Sequence, residues 1–120
     1  MLKINIANTE FEYLNALETE EYYNGSSRRT LTVTCAHDAI GLDQLNALLI
    51  EENLARIELI NDEQGVTSYH DGYVLKLECG IKATLVQPET PDTPAVYEDR
   101  LIFKIGKRTY IEEQLHKLGL

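Results

Sequence analysis

The chain has 120 residues, and a single domain of this size buries about two-thirds of the surface that its unfolded chain exposes. Its 20 acidic and 11 basic residues give a formal net charge of −9 at pH 7, and a field of that sign repels nucleic-acid phosphates and anionic lipid surfaces. A hydrophobic fraction of 43% argues against global disorder. We therefore expect one globular domain, residues 1–120, that binds neither nucleic acid nor membranes.

The first part of the chain is predicted to be β-structure. Alternation of apolar and polar side chains, the period of a strand with one buried face, predicts strands at 2–6, 11–14, 18–23 and 28–36. Asn24-Gly25 is strong turn chemistry, so the last two of these strands form a predicted hairpin. Arg28 and Arg29 follow that turn and are interpreted as charged residues that protect the hairpin from edge pairing.

The middle of the chain changes period twice. GLDQLNALLIEEN places leucines at helical spacing and predicts a helix over 42–52, and alternation returns at 54–61. Further strands are predicted at 66–77, 81–85 and 96–105. Asp71-Gly72 is expected to form either a hairpin turn or a bulge, and Gly80 is expected to separate two strands.

The carboxyl-terminal segment is predicted to be a helix over 110–118. Thr109 and Glu112 have the spacing of a capping box, and Ile111, Leu115 and Leu118 form one apolar stripe. So narrow a stripe must dock on something, by default the parent sheet and alternatively a neighbouring subunit. The elements together predict an α+β fold, mainly an antiparallel β-sheet with one central helix and a C-terminal helix.

One loop differs from the others in composition. Residues 87–94, QPETPDTP, contain all three prolines of the chain, Pro88, Pro91 and Pro94. Proline lacks an amide donor and fixes φ, so this segment cannot join a sheet and is expected to be extended and exposed to solvent. It is either a tolerated surface loop or a semi-rigid arm that reaches a partner protein, because prolines reduce the entropy lost on docking.

Tyrosines provide a second candidate interface. Tyr13, Tyr22 and Tyr23 fall within eleven residues, next to the turn Asn24-Gly25, and tyrosine is enriched at protein interfaces. Packing along the rim of a sheet is an equally good explanation. The glutamates between residues 10 and 21 are interpreted as a solvated face, because acid–base catalysis needs a desolvated carboxyl group beside an ionised one.

Catalytic, cofactor and metal sites are not expected. Cys35 and Cys79 are interpreted as buried, reduced thiols of a cytoplasmic protein, because neither a signal sequence nor an apolar run of about 20 residues is evident. Cys35 and His37 share one face of a strand, and His70 offers a distant third group. However, no CxxC, HExxH, GxSxG or GxGxxG motif is present, so a metal or thiol enzyme ranks last.

The order of five segments adds a resemblance. LKINI, RRTLTVT, GLDQLNALL, ARIELINDEQGVTSYHDGY and EDRLIFKIG together resemble, in layout, the small β-rich proteins of bacteriophage and prophage tail modules, of tail-tube, baseplate-hub or tail-terminator type. The resemblance implies a barrel-like or split-barrel sheet flanked by a helix, and ring assembly through long loops. Residues 87–94 and the Asn24-Gly25 hairpin would be such loops. It implies no catalytic residues, and a location in the bacterial cytoplasm or the assembled virion.

Two functions follow as hypotheses. The first is a structural or assembly protein of a phage-like tail that contacts copies of itself, as a homo-oligomer, or neighbouring tail proteins. The second is a small acidic inhibitor or adaptor that occupies a basic groove of another protein, which the charge of −9 favours. The even spread of acids along the chain counts against the second hypothesis.

Overall fold

The computed structural model describes residues 1–23 and 25–119. The elements in chain order are β1 (Leu2–Ile6), β2 (Thr9–Glu12), β3 (Asn15–Tyr23), β4 (Ser26–Ala36), α1 (Leu42–Leu48), α2 (Glu51–Leu54), β5 (Arg56–Asn61), β6 (Val66–Asp71), β7 (Leu75–Gln87), β8 (Val96–Gly106) and α3 (Tyr110–Lys117). The fold is α+β and mainly antiparallel, as the sequence predicted.

The strands form two four-stranded antiparallel sheets. The first sheet has the order β2-β1-β5-β6 and the second has the order β3-β4-β8-β7. Within the described residues both sheets are open, so the strands do not close into a barrel. The predicted hairpin is confirmed, because Tyr23 pairs with Ser26 across a two-residue turn and Gly25 has a φ of +84°, which a residue with a Cβ rarely adopts.

The hydrophobic core lies between the two sheets. Alternate residues of the central strands face it, and Phe11 of the first sheet meets Phe103 of the second with ring centroids 6.4 Å apart. The predicted alternation on β8 is confirmed, since Leu101, Phe103 and Ile105 are fully buried. Apolar residues of the helical segment complete the core: Leu45, Leu49 and Leu54.

The predicted helix at 42–52 is instead two short helices. Leu49, with φ −82° and ψ 59°, and Ile50, in an extended conformation, separate α1 from α2. The Asn53 side-chain amide donates to the Leu48 carbonyl over 3.1 Å and so caps the carboxyl end of α1. The break turns Leu54 into the core, and β5 therefore begins at Arg56 rather than at residue 54.

Two further predictions about strands were wrong. Gly80 does not end a strand, because β7 runs through it for 13 residues and absorbs two irregularities at Leu77 and Val86. Asp71-Gly72 is neither a hairpin turn nor a bulge within one strand. Gly72, with a φ of +83°, starts the crossing from β6 in the first sheet to β7 in the second.

The C-terminal helix starts as predicted and ends one residue earlier, at Lys117. Its capping box is confirmed, because the Thr109 hydroxyl accepts from the Glu112 amide and the Glu112 carboxylate accepts from the Thr109 amide. No residue of this helix is buried. The helix therefore does not dock on its parent sheet by an apolar face.

Candidate interface surfaces

A two-stranded ribbon built from β7 and β8 projects beyond the end of β4. The last pair between β4 and β8 is Ala36 with Arg100, whereas β7 and β8 remain paired beyond it, from Ala83 with Asp99 to Gln87 with Val96. We call residues 83–99, with the loop at their tip, the arm. The arm contributes to an elongated shape of 59 × 34 × 28 Å.

The arm exposes apolar side chains on the face that continues the core. Leu85 pairs with Tyr97, and this pair lies on the same side of the ribbon as the buried Leu101. On β7 this side is already exposed at Ile81, opposite Leu101, and farther along the ribbon Leu85 is 48% exposed and Tyr97 is 62% exposed. A free two-stranded ribbon is only marginally stable in water, and an exposed apolar face of this kind is a candidate interaction surface.

The proline loop lies at the tip of the arm. Pro88, Pro91 and Pro94 are all exposed, and Gln87 belongs to β7 rather than to the loop. Thr90 and Thr93 exchange backbone hydrogen bonds of 2.9 and 3.3 Å and so form a defined turn. The loop is therefore ordered by its own hydrogen bonds as well as by its prolines.

The tyrosines do not form one cluster. Tyr22 and Tyr23 lie at the tip of the β3–β4 hairpin, where Tyr22 is 78% exposed and Tyr23 packs under the Arg28 guanidinium, 5.6 Å from its ring centroid. Asn24 lies outside the described residues. Tyr13 precedes β3 at its other end, packs against the core, and has a pKa raised by burial. Tyr13 thus fits the sheet-rim interpretation.

The two candidate interface elements lie at opposite ends of the second sheet. Thr30 of β4 pairs with Gly106 near the tyrosine hairpin, whereas Ala36 pairs with Arg100 at the base of the arm. One molecule therefore cannot bring the proline loop and the Asn24-Gly25 hairpin together. They can meet only between two molecules.

Beside the tyrosine hairpin, α3 is held by an ion pair that the sequence did not predict. Arg28 is 2% exposed, and its guanidinium donates to both oxygens of Glu112 and to the carbonyls of Tyr23 and Lys107. It is thus a buried anchor of α3, and the interpretation of Arg28 as a surface gatekeeper was wrong. Arg29 does remain at the surface, where it pairs with Glu18 and Glu20.

The outward side of α3 exposes several large apolar residues. Glu112 and His116, on its inner face, contact Arg28 and Glu51 respectively, and Arg108 just before the helix also pairs with Glu51. The opposite side carries exposed Tyr110, Ile111 and Leu118, whereas Leu115 lines a cleft with Glu112, His116 and Leu75 of the body. We call Tyr110, Ile111 and Leu118 the helix surface. The usual arrangement of a surface helix is inverted here, because its charged face binds the body and its apolar face meets solvent.

The base of the arm is acidic. Two adjacent clefts of about 420 and 390 Å³ share Ala36 and Asp38. The carboxylates around them come from three separate parts of the chain: Glu10, Glu12, Asp38, Glu98 and Asp99. The fold therefore gathers acids that are dispersed in the sequence.

The cysteine and histidines singled out in the sequence are in different environments. Cys35 is fully buried, and burial raises the pKa of its thiol to about 12. His37 lines the larger acidic cleft, whereas His70 lies on β6 with its Nδ1 3.4 Å from Glu18. Among residues 1–23 and 25–119, no group of three or more His, Cys, Asp or Glu side chains is placed to hold a metal ion.

Comparisons with protein-family models, with curated proteins and with solved structures found no match to this chain. In the described part of the chain, no helix is both long and apolar enough to cross a membrane. The fold and its surfaces thus define an α+β protein of two open sheets, with an acidic arm at one end and an apolar helix surface at the other.

Proposed function

We propose that this chain is a non-enzymatic structural or assembly protein of a phage-like tail, and that it acts through contacts with other protein subunits. The observation that carries the proposal is the arm, which leaves the body as a paired ribbon and exposes Leu85 and Tyr97 on the face that elsewhere forms the core. The tail assignment rests on the layout resemblance, and the split-barrel arrangement belongs to the same proposal.

The physical role of the arm is to bury apolar area against a partner. Its three prolines and the Thr90–Thr93 turn limit the conformations of the tip, so little entropy is lost when the tip is bound. The ribbon also presents unpaired strand edges, which are templates for pairing with a strand of another chain. Affinity would come from this burial and pairing, without a reaction.

The test is association, measured by light scattering after size-exclusion chromatography from about 10 μM upward and by co-purification with the proteins encoded beside this chain. We expect multimers or a stable complex, and Leu85→Ser/Tyr97→Ser should abolish it. Val66→Ser, which changes an exposed apolar residue on β6 of the first sheet, outside the arm itself, is the matched control and should leave association unchanged. A strictly monomeric protein that binds none of its neighbours would refute the proposal.

The acidic clefts favour a second candidate function, an adaptor or inhibitor that binds a basic groove of another protein. Carboxylates from β2, from the turn after β4 and from β8 surround these clefts, so the charge is concentrated where a partner could meet it. Steep weakening of binding between about 50 mM and 500 mM salt would support this candidate. Binding that depends on Leu85 and Tyr97 and resists salt would support the assembly protein.

A further inference from the structure

We propose that the partner of the arm is the helix surface of a second copy of this chain, so that copies associate head to tail. This inference rests on the proposed function and adds to it the surface that the arm binds. The arm lies at one end of the second sheet and α3 at the other, so the two surfaces can meet only between molecules. An interface between two different surfaces repeats from copy to copy and produces a ring or a filament.

Apolar complementarity is the first argument. The arm exposes Leu85 and Tyr97, and the helix surface exposes Ile111 and Leu118, which are 70% and 73% exposed. The inner face of α3 is already occupied by the Arg28–Glu112 ion pair and by the contact of His116 with Glu51, so its apolar face remains available to a partner. A ribbon lying across one face of a helix is a common way for sheets and helices to bury apolar area.

Charge complementarity is the second argument, and it favours a second copy over an unrelated partner. The arm, residues 83–99, contains four acidic and no basic side chains. Residues 107–119 contain three basic and two acidic side chains, in a chain that is otherwise strongly acidic. The arm of one molecule therefore meets a segment with a small positive balance on the next, whereas two arms would repel each other.

The decisive experiment mixes two variants that are each defective in one surface. The arm variant is Leu85→Ser/Tyr97→Ser and the helix variant is Ile111→Ser/Leu118→Ser. All four residues are exposed, so both variants should fold, which circular dichroism would verify. Each variant alone should be monomeric at concentrations where the wild type forms multimers. The equimolar mixture should form a 1:1 dimer, because one variant supplies an intact helix surface and the other an intact arm.

A charge exchange gives an independent readout. In the mixture, Lys117→Glu in the arm variant, which supplies the intact helix surface, should weaken dimer formation at least about tenfold at low salt. Glu89→Lys/Asp92→Lys in the helix variant, which supplies the intact arm, should restore it. Val66→Ser is again the neutral control.

The outcomes separate this inference from the proposed function. Multimers of the wild type without a 1:1 dimer in the mixture would refute the head-to-tail interface and leave the assembly function standing. A wild type that stays monomeric up to about 1 mM but binds a neighbouring protein through its arm would likewise refute only the second copy. If the wild type showed no association that depends on the arm, both the head-to-tail interface and the assembly function would be refuted.

Discussion

Arg28 and Glu112 form a two-pronged ion pair, with nitrogen–oxygen distances of 2.5 and 3.0 Å, that joins β4 to α3 across 84 positions of sequence. The Arg28 guanidinium lies in the interior and the Glu112 carboxylate at its edge, so the pair is shielded from water on one side. Hydrogen bonds from Arg28 and from the Thr109 amide hold the pKa of Glu112 at about 2. This pair orients α3 and thereby determines which face of the helix meets solvent.

We expect Glu112→Gln to lower the free energy of unfolding by about 1–3 kcal/mol, because it removes a charged acceptor from a buried guanidinium. Amide exchange within α3 should accelerate more than exchange in β8. Glu113→Gln is the matched control, because that neighbouring carboxylate is more exposed and lies 3.9 Å from Arg108, and it should change stability by less than about 0.5 kcal/mol. Equal effects of the two substitutions would contradict the anchoring role of Arg28.

The same ion pair predicts that the stability of the protein depends on pH in the acid range. The Glu112 pKa is lowered from 4.5 to about 2 on folding, so the unfolded chain binds the proton more readily between those values. The stabilisation is therefore complete above about pH 4.5 and disappears as the pH falls through about 2. Urea unfolding of wild type and Glu112→Gln from pH 6 to 2 should show two stabilities that converge at the acid end. A difference that stays constant with pH would argue against the ion pair.

Gly106 is required by a close approach. An added Cβ would lie 3.0 Å from Leu77 Cδ1 and 3.1 Å from Arg28 Cδ, and Arg28 is held by its hydrogen bonds. Gly106→Ala should therefore destabilise the protein by about 1–3 kcal/mol through overpacking. Gly80→Ala offers a control on β7, because nothing lies within 4 Å of its Cβ position. Thermal unfolding that gave the same midpoint for both variants would contradict this interpretation.

Tyr73 links the crossing between the sheets to β3. Its buried hydroxyl donates to Glu18 over 2.5 Å, and burial, followed by that carboxylate, raises its pKa to about 12. Tyr73→Phe should cost about 1–2 kcal/mol, whereas Tyr22→Phe, at the exposed hairpin tip, should cost nothing measurable. The hydroxyl contributes fully below the ordinary pKa of 10 and loses its contribution as the pH rises towards 12. Denaturant unfolding from pH 8 to 11 should show that the difference in stability between wild type and Tyr73→Phe shrinks as the pH rises above 10. A difference that stays constant would contradict this contribution of the hydroxyl.

Cys35 should be unreactive in the folded protein. Its thiol is buried beside Leu101 in the core, with a pKa raised to about 12, so almost no thiolate is present at neutral pH. In a Cys79→Ser background, alkylation by iodoacetamide should be at least about tenfold slower in buffer than in denaturant. Mass spectrometry of timed samples would measure the rates, and rapid native alkylation would show that the strand end opens.

Local patterns in the sequence were sufficient wherever one segment determines its own conformation. The alternation around Leu101 and Phe103, the two-residue turn at Gly25 and the capping box at Thr109 are all confirmed. Each depends on residues within a few positions of one another, so periodicity and turn chemistry are enough to predict it.

Contacts between distant segments were not predictable in this way. The break at Leu49 and Ile50 depends on how Leu54 reaches the core, and the burial of Arg28 depends on a helix 84 positions away. The length of the arm follows from where β4 stops pairing with β8, which no residue of β7 reveals. A charged residue after a turn is usually exposed, because burying an unpaired charge is unfavourable. Here a carboxylate from a distant segment pairs with the guanidinium and offsets that cost.

The sequence by itself determined the fold class, the hairpin and the amphipathic character of α3, because these depend on the order of side chains along a short stretch of chain. Only the tertiary structure decided that the charged face of α3 binds the body and that its apolar face, like that of the arm, meets solvent. The reason is that the sequence of a helix does not determine which of its faces packs on the rest of the protein. Here the Arg28 guanidinium, from a distant strand, binds the Glu112 face.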